Sequence, residues 1–340
     1  MKDKYGRTIN YIRISITDRC NLRCRYCMPQ GASFVPQEDL LTDQEIQQVC
    51  RAAARMGVSR VKITGGEPLL REGCAELVGM LKRLPGIRQV TMTTNGILLH
   101  QYLLQLLANG LDAVNISLDT LSENTYAQMT GKPQLSRVLA NIRLAGQAGL
   151  SVKLNCVLLK GVNDKEWHEL AALTQKMPVD VRFIEMMPIG YGREYTPVSN
   201  EMLLKELYRI YPDLETDRRI HGNGPAVYYR IKDAQGSIGL ISAIHGKFCH
   251  RCNRLRLTAT GRLKPCLCFA DSVDLGAVLR GNMPEEKKQE ALCQAFCQAL
   301  ADKPRMHRFE VPGAVTEQAQ MVSTLGNSIE NKQERVDFQK

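Results

Sequence analysis

The sequence predicts an α/β protein: a parallel sheet built from six strand–helix units, followed by an antiparallel β/α extension. Three observations carry this. Short β-rich runs alternate with amphipathic stretches through the first two-thirds of the chain. Polar and glycine-rich motifs follow the strands rather than precede them. After about residue 200 the alternation gives way to strand patterns separated by turns. Six units joined by right-handed crossovers fit an incomplete (βα)6 TIM-type barrel or an open doubly wound sheet.

The six strand patterns lie at 12–16, 60–63, 89–93, 113–118, 152–158 and 181–186, and helical patterns at 43–56, 73–84, 101–109, 135–148 and 164–175 separate them. TDRC follows the first strand, TGGEP the second, TTNG the third, SLD the fourth and MPIG the sixth. In barrel-like α/β folds reactive groups gather where strands end at their C-termini, so all five motifs are expected in one mouth. Beyond them, 228–231 and 237–244 read as antiparallel strands joined through DAQG, 255–260 as another strand before Gly261, and 285–300 as a helix. The last thirty or so residues have little periodicity.

A formal net charge of +10 and a pI near 9.0 favour a polyanionic partner, either nucleic acid or a phosphorylated small molecule. An aromatic content of 6% argues against a base-stacking surface. No apolar run reaches the ~18 residues of a membrane span. The start, MKDKYGRTINYIRIS, lacks the apolar core of a signal peptide, so the expected location is cytoplasmic. Twelve cysteines in a reducing compartment, and clustered, point to metal or catalysis rather than disulfides.

Cys20, Cys24 and Cys27 form a C-x3-C-x2-C group on the loop after the first strand. A closed structural zinc would ask for four protein ligands. Three thiolates suit a 4Fe–4S cluster whose fourth iron is open to another ligand, although spacing alone leaves zinc or chance clustering in play. Cys249, Cys252 and Cys266 repeat the odd number as C-x2-C-x13-C. Cys268 could make a fourth ligand, and a zinc ribbon remains open here too. Arg254 and Arg256 are two apart on a strand pattern, so both side chains face the same way. Cys50, Cys74, Cys156, Cys293 and Cys297 have no motif around them and read as packing.

The string CNLRCRYC, with Tyr26 before its last Cys, resembles the radical S-adenosylmethionine (SAM) superfamily, and Gly65-Gly66-Glu67-Pro68 matches that superfamily's second motif. The ordered series SITDRCNLRCRYCMP, ITGGEPLLR, TTNG, NISLDT, VKLNCVLLKGVND, VRFIEMMPIG and FCHRCNRLRLTATGRLKPC resembles the GTP 3′,8-cyclase family of molybdenum cofactor biosynthesis across nearly the whole chain. The resemblance implies two 4Fe–4S clusters, one on Cys20, Cys24 and Cys27 that binds SAM at its open iron. The other sits on Cys249, Cys252 and Cys266 and binds the guanine base, leaving Cys268 as packing. SAM contacts fall on Tyr26, Gly66, Ser117 and Met187. GTP contacts fall on Arg13, Lys62, Thr93, Lys153, Arg254, Leu255 and Arg256, with Arg13, Arg254 and Arg256 acting in catalysis.

Lys62 departs from a frequent arginine, exchanging a bidentate grip for a point charge. The implied reaction starts with SAM cleavage to an adenosyl radical, which takes hydrogen from C3′ of GTP. C3′ then joins C8, and a later one-electron reduction and protonation gives (8S)-3′,8-cyclo-7,8-dihydro-GTP. Implied partners are an electron donor of reductase, flavodoxin or ferredoxin type, a second copy of the chain, and the downstream cyclic pyranopterin monophosphate synthase. No nucleic acid or membrane is implied.

Two other classes compete: a peptide-modifying radical SAM maturase and a zinc-bearing nucleic-acid-binding protein. The expected organisation is a barrel at 1–225, a C-terminal region at 226–327 with the second cluster and GTP site, and a polar tail at 328–340. Related enzymes close on Gly-Gly, on a tail that reaches the active site. Here Gly326 is followed by Asn327, and 321–327 is still expected to reach the pocket with 328–340 outside it.

Overall fold

A computed structural model of the chain describes residues 1–28 and 33–309. The expected approach of 321–327 to the pocket lies outside the described residues. The first half of the chain runs β1 (Tyr11–Ser15), α1 (Asp43–Arg55), β2 (Arg60–Thr64), α2 (Cys74–Lys82), β3 (Gln89–Thr94), α3 (Leu99–Ala108), β4 (Ala113–Ser117), α4 (Glu123–Thr130) and α5 (Leu135–Gln147). It continues through β5 (Ser151–Val157), α6 (Trp167–Lys176), β6 (Val179–Ile184), α7 (Asn200–Ile210), β7 (Glu215–Thr216), β8 (Val227–Arg230) and β9 (Ile238–Ile241). Then come β10 (Arg254–Leu257), β11 (Arg262–Lys264), β12 (Val273–Asp274), α8 (Gly276–Arg280) and α9 (Glu285–Ala301).

The strands form one sheet in the order β12-β11-β10-β1-β2-β3-β4-β5-β6-β9-β8-β7. β1 to β6 are parallel neighbours in chain order, which is the incomplete barrel expected from the six units. The extension is antiparallel within itself, at β8–β9 and β10–β11. It also lends a strand to each edge of the six: β10 pairs parallel with β1, and β9 pairs parallel with β6. Edges that would otherwise present unpaired backbone groups are thereby satisfied.

Period-two alternation sorts the side chains. Ile12 and Ile14 on β1, Val61 and Ile63 on β2, and Val152 and Leu154 on β5 are buried against the helices. Each contributes ~1.5–3 kcal/mol of transfer free energy. The alternate positions, including Arg13, Lys62, Asn115, Lys153, Arg182, Arg254 and Arg256, belong to the opposite face, which is the inside of the barrel.

Local signals explain the helix ends. Thr42 and Glu45 form a reciprocal capping box at the start of α1, with Glu45 Oε2 accepting from the Thr42 amide at 2.7 Å. Ser122 caps α4, and Gly131, at φ +78°, ends it in a left-handed turn. α9 packs on α1 and fastens there through Gln48, whose Nε2 donates to Glu285 at 3.0 Å. Among the described residues no helix is long and apolar enough to cross a membrane.

Candidate active site

The first thiol loop follows β1. The amides of Cys27 and Met28 both donate to the Cys24 carbonyl at 2.9 Å, a turn that puts Cys24 and Cys27 on one side. Arg23 and Arg25 donate their amides to Thr130 and Met129, which fastens the loop to the end of α4. Cys20 Sγ accepts weak bonds from the Leu22 amide at 3.5 Å and from Asn95 Nδ2 at 3.9 Å. Burial, then the neighbouring thiols and Asp119, hold Cys24 well above its ordinary pKa, and burial pushes Cys27 up to about 12.

These three thiols are close enough to disfavour one another's ionisation, and Arg13 and Arg23 offset the burial of Cys27 and Cys20 only in part. An iron–sulfur cluster supplies the cation that such a donor set lacks, so the residues fit one. Among the described residues no three His, Cys, Asp or Glu side chains converge on one metal ion. A tetrahedral zinc needs sulfurs about 3.8 Å apart, from Zn–S bonds of about 2.3 Å.

The motifs after the other strands close around this loop. Gly66 donates its amide to Thr17 O and Glu67 its amide to Arg19 O, both at 2.7 Å. A Cβ on Gly66 would sit 2.1 Å from Arg19 O, so only glycine allows this approach. The Glu67 carboxylate accepts from Thr94 Oγ1 and the Asn95 amide, both at 2.7 Å, tying the ends of β2 and β3 together. Burial raises it to about 7. Tyr26 donates its hydroxyl to Asp119 Oδ2 at 2.6 Å, which brings in the end of β4. Ser117 is half-buried at that strand end, and Met187 is half-buried past β6, beside Met186, which packs with Tyr26. The strand-end motifs do share one mouth.

The second thiol group has a different setting. Cys249 and Cys252 lie on a short 3-10 turn before β10, and Cys266 follows β11. Burial alone would raise Cys252, but Arg254 and Lys303 bring it below its ordinary pKa. Cys266 is lowered by a hydrogen bond from the buried Cys268, then by Lys303 and Arg256. Cys268 is thus a neighbour of Cys266 and not an isolated packing residue. A cation-rich pocket with three thiols also fits an iron–sulfur cluster, since thiolate is the ligating form.

Between the two groups runs a row of cations. Arg13 pairs in register with Arg256 on one side and Lys62 on the other. Arg13 Nη2 donates to Thr64 Oγ1 at 3.1 Å, while its buried Nε has no partner among the described residues. Among the described residues no hydrogen bond or ion pair holds the side chains of Lys62, Arg254 or Arg256, though Arg254 lies over the Phe248 ring at 5.1 Å. Burial lowers Lys62 well below its ordinary pKa, with Arg182, Arg13, Lys153 and Arg254 adding to the effect. Such a set of crowded, unpaired cations is an anion site.

Not every expected residue joins this row. Lys153 is held by Asp180 at 2.8 Å and by the His221 carbonyl. Thr93 is half-buried and its Oγ1 meets Asn115 Nδ2 at 3.5 Å. Leu255 is fully buried, with its side chain in the hydrophobic core on the far side of the strand from Arg254 and Arg256. Of the motif-free cysteines, Cys50, Cys74 and Cys156 are buried, Cys293 is half-buried, and Cys297 is exposed rather than packed.

The structure adds Arg182, whose Nη2 donates to Asn155 Oδ1 at 2.6 Å and whose buried Nε has no partner among the described residues. Its signal was present as a lone cation between Val181 and Phe183 on an alternating strand.

Comparison with known proteins accords with this geometry. The radical SAM superfamily profile matches residues 14–174, and the profile described as Molybdenum Cofactor Synthesis C matches 179–309. The structure is similar to that of Streptococcus suis SuiB bound to S-adenosylmethionine, with a TM-score of 0.59 at 15% identity over 85% of this chain and 68% of that one. At that identity the likeness is one of fold. A GTP 3′,8-cyclase from Moorella thermoacetica is 44% identical over 316 residues, 91% of this chain and 96% of the relative. One from Clostridium perfringens strain SM101 is 40% identical over 312 residues, 92% of this chain and 95% of the relative. With nearly all of both sequences aligned at these identities, the chain belongs to the GTP 3′,8-cyclase family of the radical SAM superfamily.

Proposed function

We propose that this protein converts GTP to (8S)-3′,8-cyclo-7,8-dihydro-GTP, the first step of molybdenum cofactor biosynthesis. The observation that carries the reading is the row of Arg13, Lys62, Arg182, Arg254 and Arg256, none of which meets a carboxylate among the described residues, set between two three-thiol groups. Cys20, Cys24 and Cys27 would hold the 4Fe–4S cluster that takes SAM, and Cys249, Cys252 and Cys266 the one that takes the guanine base. The chemistry these groups supply when bound is one-electron cleavage of SAM, hydrogen abstraction at C3′ of GTP, and closure of C3′ onto C8.

The protein's own residues bind and orient. Arg254 and Arg256 project from one strand beside the second group, and Arg13 bridges electrostatically to Cys27 beside the first. A triphosphate laid along them replaces mutual repulsion with charge-assisted hydrogen bonds. Tyr26, Gly66, Ser117 and Met187 are assigned to SAM, while Thr93, Lys153 and the backbone of Leu255 complete the GTP set. Lys153 would have to exchange its Asp180 partner for phosphate.

The further assignments belong to the same reading: a cytoplasmic homodimer, fed electrons by a reductase, flavodoxin or ferredoxin, whose product passes to cyclic pyranopterin monophosphate synthase. The core at 1–225, the GTP-binding region at 226–327 and the tail at 328–340 complete it. Anaerobically reconstituted protein given SAM, a reductant and GTP should release 5′-deoxyadenosine and a cyclised nucleotide together. 5′-Deoxyadenosine without cyclised nucleotide would overturn the substrate assignment.

A further inference from the structure

Lys303 sits just past α9 and is 2% exposed, an unusual place for an ammonium. Its Nζ has three N–H donors, and three acceptors surround it: Pro265 O at 2.6 Å, Arg254 O at 2.8 Å and Cys252 Sγ at 3.8 Å. Pro265 precedes Cys266, and Arg254 lies two residues after Cys252. One side chain therefore ties both segments that carry these cysteines.

Arg7, itself buried, supplies the third tie. Its Nη1 donates to Cys249 O at 2.9 Å and Arg305 O at 3.1 Å, and its Nη2 to Pro304 O at 2.8 Å. Asp3 orients it through Nε at 2.6 Å. The chain at 303–305 is thus stitched around all three cysteines by two buried cations. Among the described residues no carboxylate contacts Lys303. Burial disfavours its charged form, and Arg7 and Arg254 add to this, while the Cys252 and Cys266 thiols offset it in part. A buried ammonium without a carboxylate is costly to keep, and among the described residues its acceptors are two carbonyls and the Cys252 sulfur.

We propose that Lys303 and Arg7 are positioning residues that preset the Cys249, Cys252 and Cys266 triad. Through its bond to Cys252 Sγ, Lys303 also raises the reduction potential of the cluster they hold. A cation that donates to a ligating sulfur stabilises the added electron. Arg7 is paired with Asp3 and reaches the triad only at the Cys249 carbonyl, not at a sulfur, so its main effect is on ligand geometry. The inference rests on reading that triad as cluster ligands.

The test uses the full chain with Cys20, Cys24 and Cys27 replaced by Ala, so that any remaining cluster is the second one. Lys303→Met, Lys303→Gln and Arg7→Gln are made in that background. Iron per chain, the rate of iron loss to a chelator, the midpoint potential by EPR titration and the thermal midpoint are measured.

Lys303→Met should lose iron about 10-fold to 100-fold faster and show a more negative potential. Lys303→Gln, which keeps N–H donors without charge, should hold iron better than Met yet show the same lowered potential. Arg7→Gln should lose iron faster at an unchanged potential.

If the Met variant fails to fold, the Gln variant decides the potential. A folded Lys303→Met or Lys303→Gln with the parental potential overturns the proposal. So does Arg7→Gln with the parental rate of iron loss. A background protein that takes up no iron overturns the ligand assignment itself, a different failure.

Discussion

Arg13 and Arg256 stand abreast in register on neighbouring parallel strands, two guanidinium side chains directed into one buried interior. Burial, then Arg13 and Arg254, lower Arg256 to about 9, and the Cys266 and Cys252 thiols offset this only in part. The free protein therefore holds charge that a polyanion would neutralise. Arg256→Met removes that charge while keeping most of the volume. It should weaken GTP binding by ~1–3 kcal/mol, about 5-fold to 150-fold, as for other charge-assisted bonds. The thermal midpoint of the ligand-free protein should stay level or rise. Calorimetric titration that returns the parental GTP affinity would remove Arg256 from the phosphate site.

Lys62 makes the same point through pH. Its folded pKa is depressed by burial and by the surrounding arginines, so the folded state binds fewer protons there than the unfolded chain. Stability must then rise with pH between the depressed value and the unfolded one, about 10.4. The cysteines with raised pKa values pull the other way above about pH 8.5, so the parent alone is ambiguous. Lys62→Met isolates the lysine. The stability advantage of this variant over the parent should shrink as pH climbs from about 7 toward 10. Tripolyphosphate, which favours the charged lysine, should flatten that difference. An advantage independent of pH would show that Lys62 carries no such strain.

Much of this was legible in the sequence because a half-buried strand writes its two faces alternately. The six barrel strands, and the thiol loop behind the first, could be placed from that pattern. The parallel pairing of β9 with β6 and β10 with β1 could not, because it is set by contacts distant in sequence and leaves no local mark. α4, eight residues with weak amphipathicity, was hidden for a related reason. Leu255 was named with its arginine neighbours although strand geometry turns it the other way. Lys303 offers no sequence signal, since one lysine after a helix is ordinary until its burial is seen.

Gly66 offers a steric test. A methyl group there would press 2.1 Å from Arg19 O and 2.7 Å from Asp18 O, both backbone atoms that cannot swing aside. Gly66→Ala must push apart the loops after β1 and β2, at ~1–3 kcal/mol or more for overpacking. The first thiol loop moves with Arg19, so iron uptake by Cys20, Cys24 and Cys27 should fall while the second triad keeps its own. Iron analysis in a background with Cys249, Cys252 and Cys266 replaced checks this. Full iron content there would mean the loop tolerates the shift.

Tyr26 gives a test in which pH and hydrogen bonding have to agree. Asp119 is buried, which raises it to about 6 even though the Tyr26 hydroxyl and the Val157 amide, at 2.6 and 2.8 Å, favour its ionised form. Above that value Tyr26→Phe leaves a buried carboxylate oxygen without its donor, a loss of ~1–3 kcal/mol. Below it Asp119 is protonated and demands the donor far less. Because its folded pKa lies above the unfolded one, the folded state binds the extra proton between about pH 4 and 6. Stability from this group is therefore lost as pH rises through that window, and the phenylalanine variant should lose more of it. Urea unfolding of ligand-free protein should show a larger gap between parent and Tyr26→Phe at about pH 8 than at about pH 5. An equal gap at both would mean that Tyr26 supports the loop by packing against Met186 and Leu159, and that its hydroxyl contributes nothing to holding Asp119 ionised.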